Sequence, residues 1–257
     1  MPRFPGPTRR NNPTPPSPTA ATRTGREMRR HLQTHPRVAY FDLDGTLMEG
    51  YSALLAGFYL LRQRRVSLGP ILSSVLHLAR YKAQRADYSA ILRDGIQPWL
   101  GTRHEDLMAL SAECFEAVVR PRIYREGQAR LDKFRASGVP VVLISSTSPF
   151  LLGEVSRHLS CDDFIATRFE FDEEDRLTDQ IVGIPVFGEG KRVMAEADAR
   201  SRNARLSECA FFSDSASDLP LMRAVGYPYT VNPDRPLRAA ARRHGWPILR
   251  YRQQIGR

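Results

Sequence analysis

The stretch Val38-Ala39-Tyr40-Phe41-Asp42-Leu43-Asp44-Gly45-Thr46-Leu47 decides the fold. Its first four residues are apolar and predict a short buried strand, and two carboxylates one residue apart follow the strand end. Side chains alternate along an extended chain, so Asp42 and Asp44 are expected on the same side. Two carboxylates held this close repel each other, and such a pair usually needs a cation. The stretch predicts a metal-dependent site at the carboxyl edge of an α/β sheet, where such folds bind ligands.

Two plainer interpretations compete for the same stretch. A calcium loop of the EF-hand type would need an acid or amide at Thr46 and a glutamate at the position of Ala53, so that interpretation fails. A polar turn after an edge strand remains the alternative if the stretch is considered alone.

The sheet is expected to resume at residues 139–144, a continuous apolar run that is typical of a parallel strand covered on both faces. This run ends in Ser145-Ser146-Thr147-Ser148, and a helix is expected to begin near Pro149. Hydroxyls and free backbone N–H groups at a strand-to-helix junction suit an anion. A serine in this place is also a common helix cap, so the segment alone does not decide between the two roles.

Further along the chain, polar groups again follow apolar runs. Lys191 stands after two glycines at the start of a helix predicted over 191–203, where it can reach a phosphate. The spacing of the glycines excludes a P-loop. Residues 209–212 predict a buried strand, and a second pair of acids, Asp214 and Asp218, follows it. The other predicted elements are a strand at 163–167, a β-hairpin over 169–183, a helix over 218–224 and a last strand at 229–231 that closes the sheet.

Residues 51–124 interrupt this pattern with three apolar stretches at 51–61, 71–81 and 107–119, the last with helical spacing. A segment of this length is a domain rather than a loop, which predicts a helical cap inserted after the first strand. The run 51–61 is too short to span a bilayer, which takes about 20 residues. Its flanking arginines leave open a weak membrane-surface contact, although packing in a small core is the simpler account.

The net charge of +10 belongs to the ends of the chain. Residues 1–37 hold eight arginines and one acid, and residues 234–257 hold seven arginines and one acid, so the body between them is slightly acidic. Residues 1–36 contain eight of the 19 prolines and predict a disordered tail, and residues 251–257 predict a basic C-terminal tail. Such tails attach to nucleic acid or anionic membrane by charge alone, and no specific nucleic-acid partner is predicted. Three cysteines without metal-ligand spacing predict a reduced, cytoplasmic protein.

Together these segments predict an α/β fold: a Rossmann-like parallel sheet with helices on both faces, formed by residues 37–50 and 125–250, with the cap at 51–124. Four of the segments resemble, in order, the motifs of the haloacid dehalogenase-like hydrolases. These segments are Asp42-Leu-Asp44-Gly-Thr46, Ser145 after its strand, Lys191, and Asp214-Ser-Ala-Ser-Asp218. The insertion directly after the first motif is similar to subfamily IB, the phosphoserine-phosphatase-like group.

The resemblance implies a phosphatase in which Asp42 attacks phosphorus and Asp44 acts as acid and base. It implies Mg²⁺ as cofactor, held by the Asp42 carboxylate, the Asp44 backbone carbonyl and Asp214, with Asp218 supporting the metal from nearby. The residues that hold the phosphoryl oxygens are then Ser145, Ser146 and Lys191.

The resemblance also implies that the substrate is a small-molecule phosphate ester. In phosphoserine phosphatases a glutamate nine residues after the nucleophile reads the amino group, and Tyr51 stands there in this sequence. Glu49 lies two residues away, so Glu49 and Tyr51 are the candidate specificity residues. We therefore rank phosphoserine below another small or lipid-linked phosphomonoester. The alternatives are a phosphotransferase on the same fold, or a non-catalytic protein that binds through its basic tails.

Overall fold

The central sheet consists of short strands, and three of its inner strands are buried along their whole length. The computed structural model describes residues 35–69, 72 and 96–256. In chain order the strands are β1 (Ala39–Phe41), β2 (Val141–Ile144), β3 (Asp163–Ile165), β4 (Arg168–Phe171), β5 (Leu177–Val182), β6 (Ala210–Ser213), β7 (Tyr227–Val231) and β8 (Ile248–Leu249). Six of them form one parallel sheet in the order β3-β2-β1-β6-β7-β8. The predicted α/β fold with a parallel sheet is confirmed.

Successive side chains of the central strands enter two separate cores, as the two-residue period of a strand requires. Phe41 packs on one face of the sheet and Tyr40 on the other. In register, Ala39 lies beside Val141 of β2 and beside Ala210 of β6. A strand with neighbours on both sides and apolar cores on both faces carries only apolar residues, which explains its unbroken hydrophobic run.

Helices cover both faces of the sheet. In chain order the α-helices of the described residues are α1 (Ser52–Arg62), α2 (His104–Cys114), α3 (Arg125–Ala136), α4 (Pro149–His158), α5 (Glu189–Ser201), α6 (Leu219–Ala224) and α7 (Arg235–His244). Leu131 of α3 and Val155 of α4 pack in the core that contains Phe41. Ala195 of α5 and Leu221 of α6 pack in the core that contains Tyr40. The predicted helices near Pro149, over 191–203 and over 218–224 correspond to α4, α5 and α6.

The segment predicted as a cap is helical in its described parts. Helices α1 and α2 account for the first and third predicted apolar stretches, and a π-helical turn at Phe115–Val119 continues α2. The second predicted stretch, 71–81, lies outside the described residues except for Leu72. The predicted N-terminal tail also lies outside them, apart from its last two residues. Of the helices that the structure describes, none combines the length and apolarity needed to cross a bilayer.

Strands β4 and β5 form the predicted hairpin as a separate antiparallel pair that contacts the start of α2. The backbone N–H of His104 donates to the carbonyl of Asp175 at 3.0 Å, and Gly101 and Leu177 are joined by an N–H···O bond of 2.9 Å. Leu177 and Leu107 share a small hydrophobic cluster. The hairpin therefore packs on the inserted segment, a relation that its alternating pattern did not indicate.

The expectation that the strand at 229–231 closes the sheet is wrong. Strand β8 continues the sheet beyond β7, with Thr230 opposite Ile248 and Val231 opposite Leu249. This strand has only two residues and follows Pro247, so it is too short to show a two-residue period.

Residues 251–256, predicted as part of a basic tail, pack against the chain before α3. The N–H of Ile255 donates to the carbonyl of Ile123 at 2.9 Å, and the N–H of Arg125 donates to the carbonyl of Gln253 at 2.7 Å. Tyr251 and Gln254 are buried. This end of the chain contributes to the folded structure.

Candidate active site

Three neighbouring strands of the sheet end at one edge, and a predicted site residue follows each of them. Asp42 follows β1, Ser145 follows β2, and Asp214 follows β6. The N–H of Asp42 donates to the carbonyl of Phe212 at 3.0 Å, so the strand ladder extends to the first acid. Because the strands are parallel and in register, their carboxyl ends bring polar groups from distant parts of the sequence together.

Lys191 joins two of the predicted acids. Its Nζ lies 3.2 Å from Oδ1 of Asp42 and 2.9 Å from Oδ2 of Asp218, and only 3% of its side chain is exposed. Burial alone would lower the pKa of this ammonium, but the charges of Asp218 and Asp42 raise it above its usual value. Lys191 is therefore a fixed positive charge in the site. A solvated surface lysine is excluded.

The backbone before Lys191 explains how the lysine reaches this position. Gly190 lies so close to the preceding turn that a Cβ atom there would be 2.1 Å from the carbonyl oxygen of Pro185. Only glycine permits this approach, which starts helix α5 next to the sheet edge. The N–H of Lys191 then donates to the carbonyl of Phe187 at 3.3 Å.

The carboxylate of Asp42 is buried, and one of its oxygens accepts the N–H of Leu43 at 2.8 Å. Burial raises the pKa of Asp42 to about 7. The charge of Lys191 opposes this rise, and the charges of two nearby acids add to it. Asp42 is thus a desolvated carboxylate next to one ammonium. Its role as nucleophile stays a prediction.

The carboxylate of Asp44 is bound by Ser52, the first residue of helix α1. The N–H of Ser52 donates to Oδ1 at 2.8 Å, and its hydroxyl donates to Oδ2 at 3.1 Å. Burial raises the pKa of Asp44 to about 6, although both bonds from Ser52 lower it. A carboxyl group that titrates near neutrality suits an acid that later serves as a base.

Asp214 lies against the turn that follows Asp44. The hydroxyl of Thr46 donates to Asp214 Oδ1 at 3.4 Å, and a Cβ atom at Gly45 would lie 2.2 Å from Oδ2. Burial raises the pKa of Asp214 well above its usual value, and the charges of Asp42 and Asp218 raise it further. The backbone carbonyl of Asp214 accepts the N–H of Asp234 at 2.8 Å, which fixes the loop after β6.

Of the two carboxylate oxygens of Asp218, one accepts hydrogen bonds and the other has no partner among the described protein atoms. Oδ2 accepts the Lys191 ammonium and the hydroxyl of Ser213 at 2.7 Å. Oδ1 is buried and has no hydrogen-bond partner among the described protein atoms. A buried carboxylate oxygen without a partner is costly, so this atom suits a water molecule bound to a cation.

The predicted metal ligands fit a hard cation by their chemistry. Within the described residues, no cluster of three or more His, Cys, Asp or Glu side chains could hold a metal by itself. The predicted set does not need one, because it consists of the carboxylates of Asp42 and Asp214, the Asp44 carbonyl and water. All of these ligands are oxygens, and Mg²⁺ is typically bound by one or two carboxylates and several waters.

The serine-rich segment after β2 contains both the predicted phosphate-binding serines and the N-cap of helix α4. Ser145 is buried, and its hydroxyl accepts the N–H of Thr147 at 3.3 Å. Ser148 is the helix cap that the sequence left as an alternative, since its hydroxyl accepts the N–H of Leu151 at 3.3 Å. Ser146 is half-buried. The phosphate-binding role of Ser145 and Ser146 stays a prediction.

The two candidate specificity residues stand where the chain leaves the site for α1. Glu49 accepts a hydrogen bond from the side chain of Gln254, and its N–H donates to the carbonyl of Arg122 at 3.0 Å. Tyr51 is half-buried and occupies the N-cap position of α1. Their contact with a substrate stays a prediction.

Sequence reasoning missed three hydroxyl side chains that donate to the acids, those of Thr46, Ser52 and Ser213. It also missed Thr147, whose hydroxyl contacts that of Ser52. Thr46 lies two positions after Asp44, and Ser213 directly precedes Asp214. Their closeness in sequence to the acids could have indicated these hydrogen bonds. Ser52 had no such signal, because its segment indicates only a helix start. The segment of Thr147 indicated an anion site or a helix cap, but not a contact with Ser52.

The chain matches a family model described as haloacid dehalogenase-like hydrolase over residues 39–223. It is 30% identical to the inhibition of morphological differentiation protein of Streptomyces azureus, over 86% of this chain and 80% of the relative. It is 28% identical to a histidinol-phosphatase of Neisseria meningitidis, over 84% and 99% of the two chains. It is also 28% identical to phosphoserine phosphatase SerB1 of Mycobacterium tuberculosis, over 92% and 77%.

Solved structures share the fold. The crystal structure of a protein with unknown function from Bordetella pertussis Tohama I superimposes with a TM-score of 0.76 at 27% identity, covering 84% of this chain and 99% of that chain. A substrate-bound phosphoserine phosphatase superimposes with a TM-score of 0.64 at 13% identity, covering 83% and 92%. At the lower identity the likeness shows the fold alone. The family model and the relatives named as phosphatases confirm the predicted resemblance to the phosphoserine-phosphatase-like hydrolases.

Proposed function

Because the chain belongs to the haloacid dehalogenase-like hydrolase family, we propose that it is a Mg²⁺-dependent phosphatase that hydrolyses a small or lipid-linked phosphomonoester through an aspartyl-phosphate. One observation carries the proposal: the buried ammonium of Lys191 lies 3.2 Å from Asp42. A phosphoryl group brings further negative charge to a site that already holds four acids, and a positive charge fixed beside the nucleophile offsets it.

In the first step, an oxygen of the Asp42 carboxylate attacks phosphorus. The bond between phosphorus and the ester oxygen breaks as the new bond forms. The leaving oxygen takes a proton from Asp44, so the alcohol departs neutral and the phosphoryl group remains on Asp42.

In the second step, a water molecule attacks the phosphorus of the aspartyl-phosphate. Asp44, now ionised, takes a proton from that water, and the bond from phosphorus to Asp42 breaks. Inorganic phosphate leaves, and both carboxyl groups return to their starting states. A pKa near 6 for Asp44 suits a group that gives and takes a proton in one cycle.

The other site residues bind and orient. In this proposal Lys191, Ser145 and Ser146 hold the phosphoryl oxygens, and Asp218 keeps the lysine in place. Asp42, the Asp44 carbonyl and Asp214 would hold Mg²⁺, and the cation would supply positive charge against the phosphoryl oxygens. The unpartnered oxygen of Asp218 supports a cation-bound water beside it.

The substrate is proposed at the level of a class. Tyr51 in place of a glutamate disfavours phosphoserine, and it leaves room for a choline-like or lysophospholipid head group. Histidinol phosphate belongs in the same test because a relative matched over 99% of its own length is named a histidinol-phosphatase.

Phosphate release from a panel of esters tests the proposal. The panel contains phosphoserine, histidinol phosphate, phosphocholine and a lysophosphatidate, each with Mg²⁺ or EDTA. We expect turnover that requires Mg²⁺ and is lost in Asp42→Asn. Asp179→Asn is the matched control, because its carboxylate is exposed on β5, where it accepts a hydrogen bond from the side chain of Gln180 at 2.7 Å. Turnover that survives in Asp42→Asn would remove the covalent role from Asp42.

Two alternatives give different results in the same assay. A phosphotransferase would form a new phosphoester when an alcohol acceptor is added, at the expense of released phosphate. A binding protein would show no turnover on any ester, and its salt-dependent retention on nucleic acid or anionic vesicles would be lost when residues 1–36 are deleted.

A further inference from the structure

Ser52 holds both oxygens of the Asp44 carboxylate. Its N–H donates to Oδ1 at 2.8 Å and its hydroxyl to Oδ2 at 3.1 Å. The terminal torsion of an aspartate has a broad energy well, so an unbound carboxylate rotates with little cost. Two donors from one residue define the plane of the group. The Ser52 side chain is completely buried, so water does not take over either bond.

The Ser52 hydroxyl is in turn held by Thr147. The two hydroxyl oxygens are within hydrogen-bond distance, and Thr147 is also buried. Thr147 lies in the loop after β2, where its N–H donates to the hydroxyl of Ser145 at 3.3 Å. A hydroxyl has one proton to donate. If Ser52 gives its proton to Asp44, Thr147 must donate to Ser52, and the bonds then run in one direction toward the acid.

We propose that Ser52 and Thr147 are positioning residues that aim the Asp44 carboxylate at the leaving oxygen of the substrate. The inference rests on the proposed function, since it concerns the proton transfer assigned to Asp44. Catalytic groups must be held within about 0.5 Å of the productive geometry by bonds of this kind. Ser52 begins helix α1 and Thr147 belongs to the loop that carries Ser145. Asp44 is therefore aligned only when the start of the inserted segment and the loop after β2 are both in place.

The dependence of the rate on the leaving group separates this role from a structural one. An alkyl phosphate releases a strongly basic alkoxide that needs a proton, whereas p-nitrophenyl phosphate releases an anion that needs little help. The ratio kcat/KM covers the steps up to departure of the leaving group. A poorly aimed acid therefore lowers kcat/KM for the alkyl ester far more than for the p-nitrophenyl ester.

The test compares Ser52→Ala, Thr147→Val and Thr147→Ser on p-nitrophenyl phosphate and on the alkyl ester of the panel with the highest turnover. We expect Ser52→Ala to lower kcat/KM for the alkyl ester by about tenfold, the loss of one charge-assisted hydrogen bond. The p-nitrophenyl ester should change by less than about twofold. Thr147→Val should show the same selectivity, and Thr147→Ser, which keeps the hydroxyl, should restore the wild-type ratio.

Thr230→Val is the matched control for removal of a buried hydroxyl. The Thr230 hydroxyl donates to the carbonyl of Pro247 at 3.0 Å, and this bond joins β7 to the segment before β8. We expect any loss in this variant to be equal for the two esters. If Ser52→Ala does not fold, the pair Thr147→Val and Thr147→Ser carries the test.

Asp44→Asn, measured in parallel, distinguishes the two ways to fail. If Asp44→Asn lowers kcat/KM equally for both esters, the acid role of Asp44 is wrong, and this inference falls with it. If Asp44→Asn is selective for the alkyl ester but Ser52→Ala and Thr147→Val are not, the proposed function stands and the positioning role is overturned.

Discussion

A Cβ atom at Gly45 would lie 2.2 Å from Oδ2 of Asp214. The turn after the first acid motif therefore approaches the first acid of the last motif as closely as a glycine allows. The backbone at Gly45 also has a φ of +72°, a conformation that side chains disfavour. Both constraints keep Gly45, the residue bonded to the Asp44 carbonyl, next to the Asp214 carboxylate, and the proposed cation needs these two groups close together.

Gly45→Ala is expected to weaken activation by Mg²⁺. The methyl group would displace the Asp214 carboxylate, so the Mg²⁺ concentration for half-maximal activity should rise at least about tenfold, the effect of a loss of about 1.4 kcal/mol. The left-handed backbone should also lower the free energy of unfolding by about 1–2 kcal/mol. A titration of activity with Mg²⁺ and a urea denaturation curve measure the two effects.

Gly138→Ala is a control that separates the effect of backbone strain from the effect of displacing the Asp214 carboxylate. Gly138 has a φ of +71°, and an added Cβ would meet no described atom within 4 Å. This control should lose similar stability and keep its Mg²⁺ response. Equal Mg²⁺ responses in the two variants would contradict the assignment of Asp214 to the cation.

Lys191→Met is expected to destabilise the fold as well as remove activity. The ammonium lies between Asp42 and Asp218, and its removal leaves two buried acids without their common partner. Loss of one member of a buried ion pair costs about 3–5 kcal/mol. Denaturation by urea, with the exposed Lys133→Met as control, measures the cost.

A double variant tests whether the stability lost in Lys191→Met comes from the unpaired charge of Asp218. When Asp218→Asn is combined with Lys191→Met, the second charge is gone and part of the stability should return. If the two losses simply add, the lysine does not stabilise the protein through this pair.

The strand pattern of the core could be predicted from the sequence because it follows from local chemistry. Each central strand is covered on both faces and so forms an unbroken apolar run, and the polar groups that follow Phe41, Ile144 and Ser213 reach one edge because parallel strands end together. The acids and the lysine could be assigned because their order matches one family. These signals lie within about ten residues of a strand end.

The bonds that aim the acid could not be predicted in the same way. Ser52 and Thr147 are 95 positions apart in the sequence, and neither the helix start at Ser52 nor the hydroxyl-rich segment of Thr147 indicates that the two side chains meet. Strand β8 has two residues and shows no period. The packing of residues 251–256 depends on backbone groups near Ile123, which carry no sequence signal. Contacts between residues that are far apart in the sequence could not be predicted when they involve common residue types, because such residues form no distinctive local pattern.

In EDTA the stability of the protein should fall as the pH rises from about 5 to about 8, relative to the Mg²⁺-loaded protein. The folded-state pKa is raised to about 7 for Asp42 and about 6 for Asp44, and it is well above the usual value for Asp214. A carboxyl group with a raised pKa binds its proton more tightly when folded. Its contribution to stability is present at low pH and is lost as the pH rises through the folded-state pKa.

Bound Mg²⁺ should reverse this trend, because the cation favours the ionised carboxylates. Thermal unfolding at a series of pH values, with EDTA or with saturating Mg²⁺, measures how the pH dependence of stability differs between the two conditions. In Asp214→Asn the two curves should lie close together. A Mg²⁺ effect that is independent of pH and persists in Asp214→Asn would place the cation elsewhere.

Tyr251→Ala is expected to lower the free energy of unfolding by about 3 kcal/mol, the usual cost of removing a buried aromatic ring. The Tyr251 ring is only 7% exposed and packs edge-on against Tyr124 at a centroid distance of 6.0 Å. Phe58→Ala is the control, since Phe58 is 51% exposed and should change stability by less than about 0.5 kcal/mol. Urea denaturation of both variants decides whether residues 251–256 belong to the folded unit. A Tyr251→Ala variant as stable as the wild type would mean that this end of the chain is the free basic tail that its composition predicts.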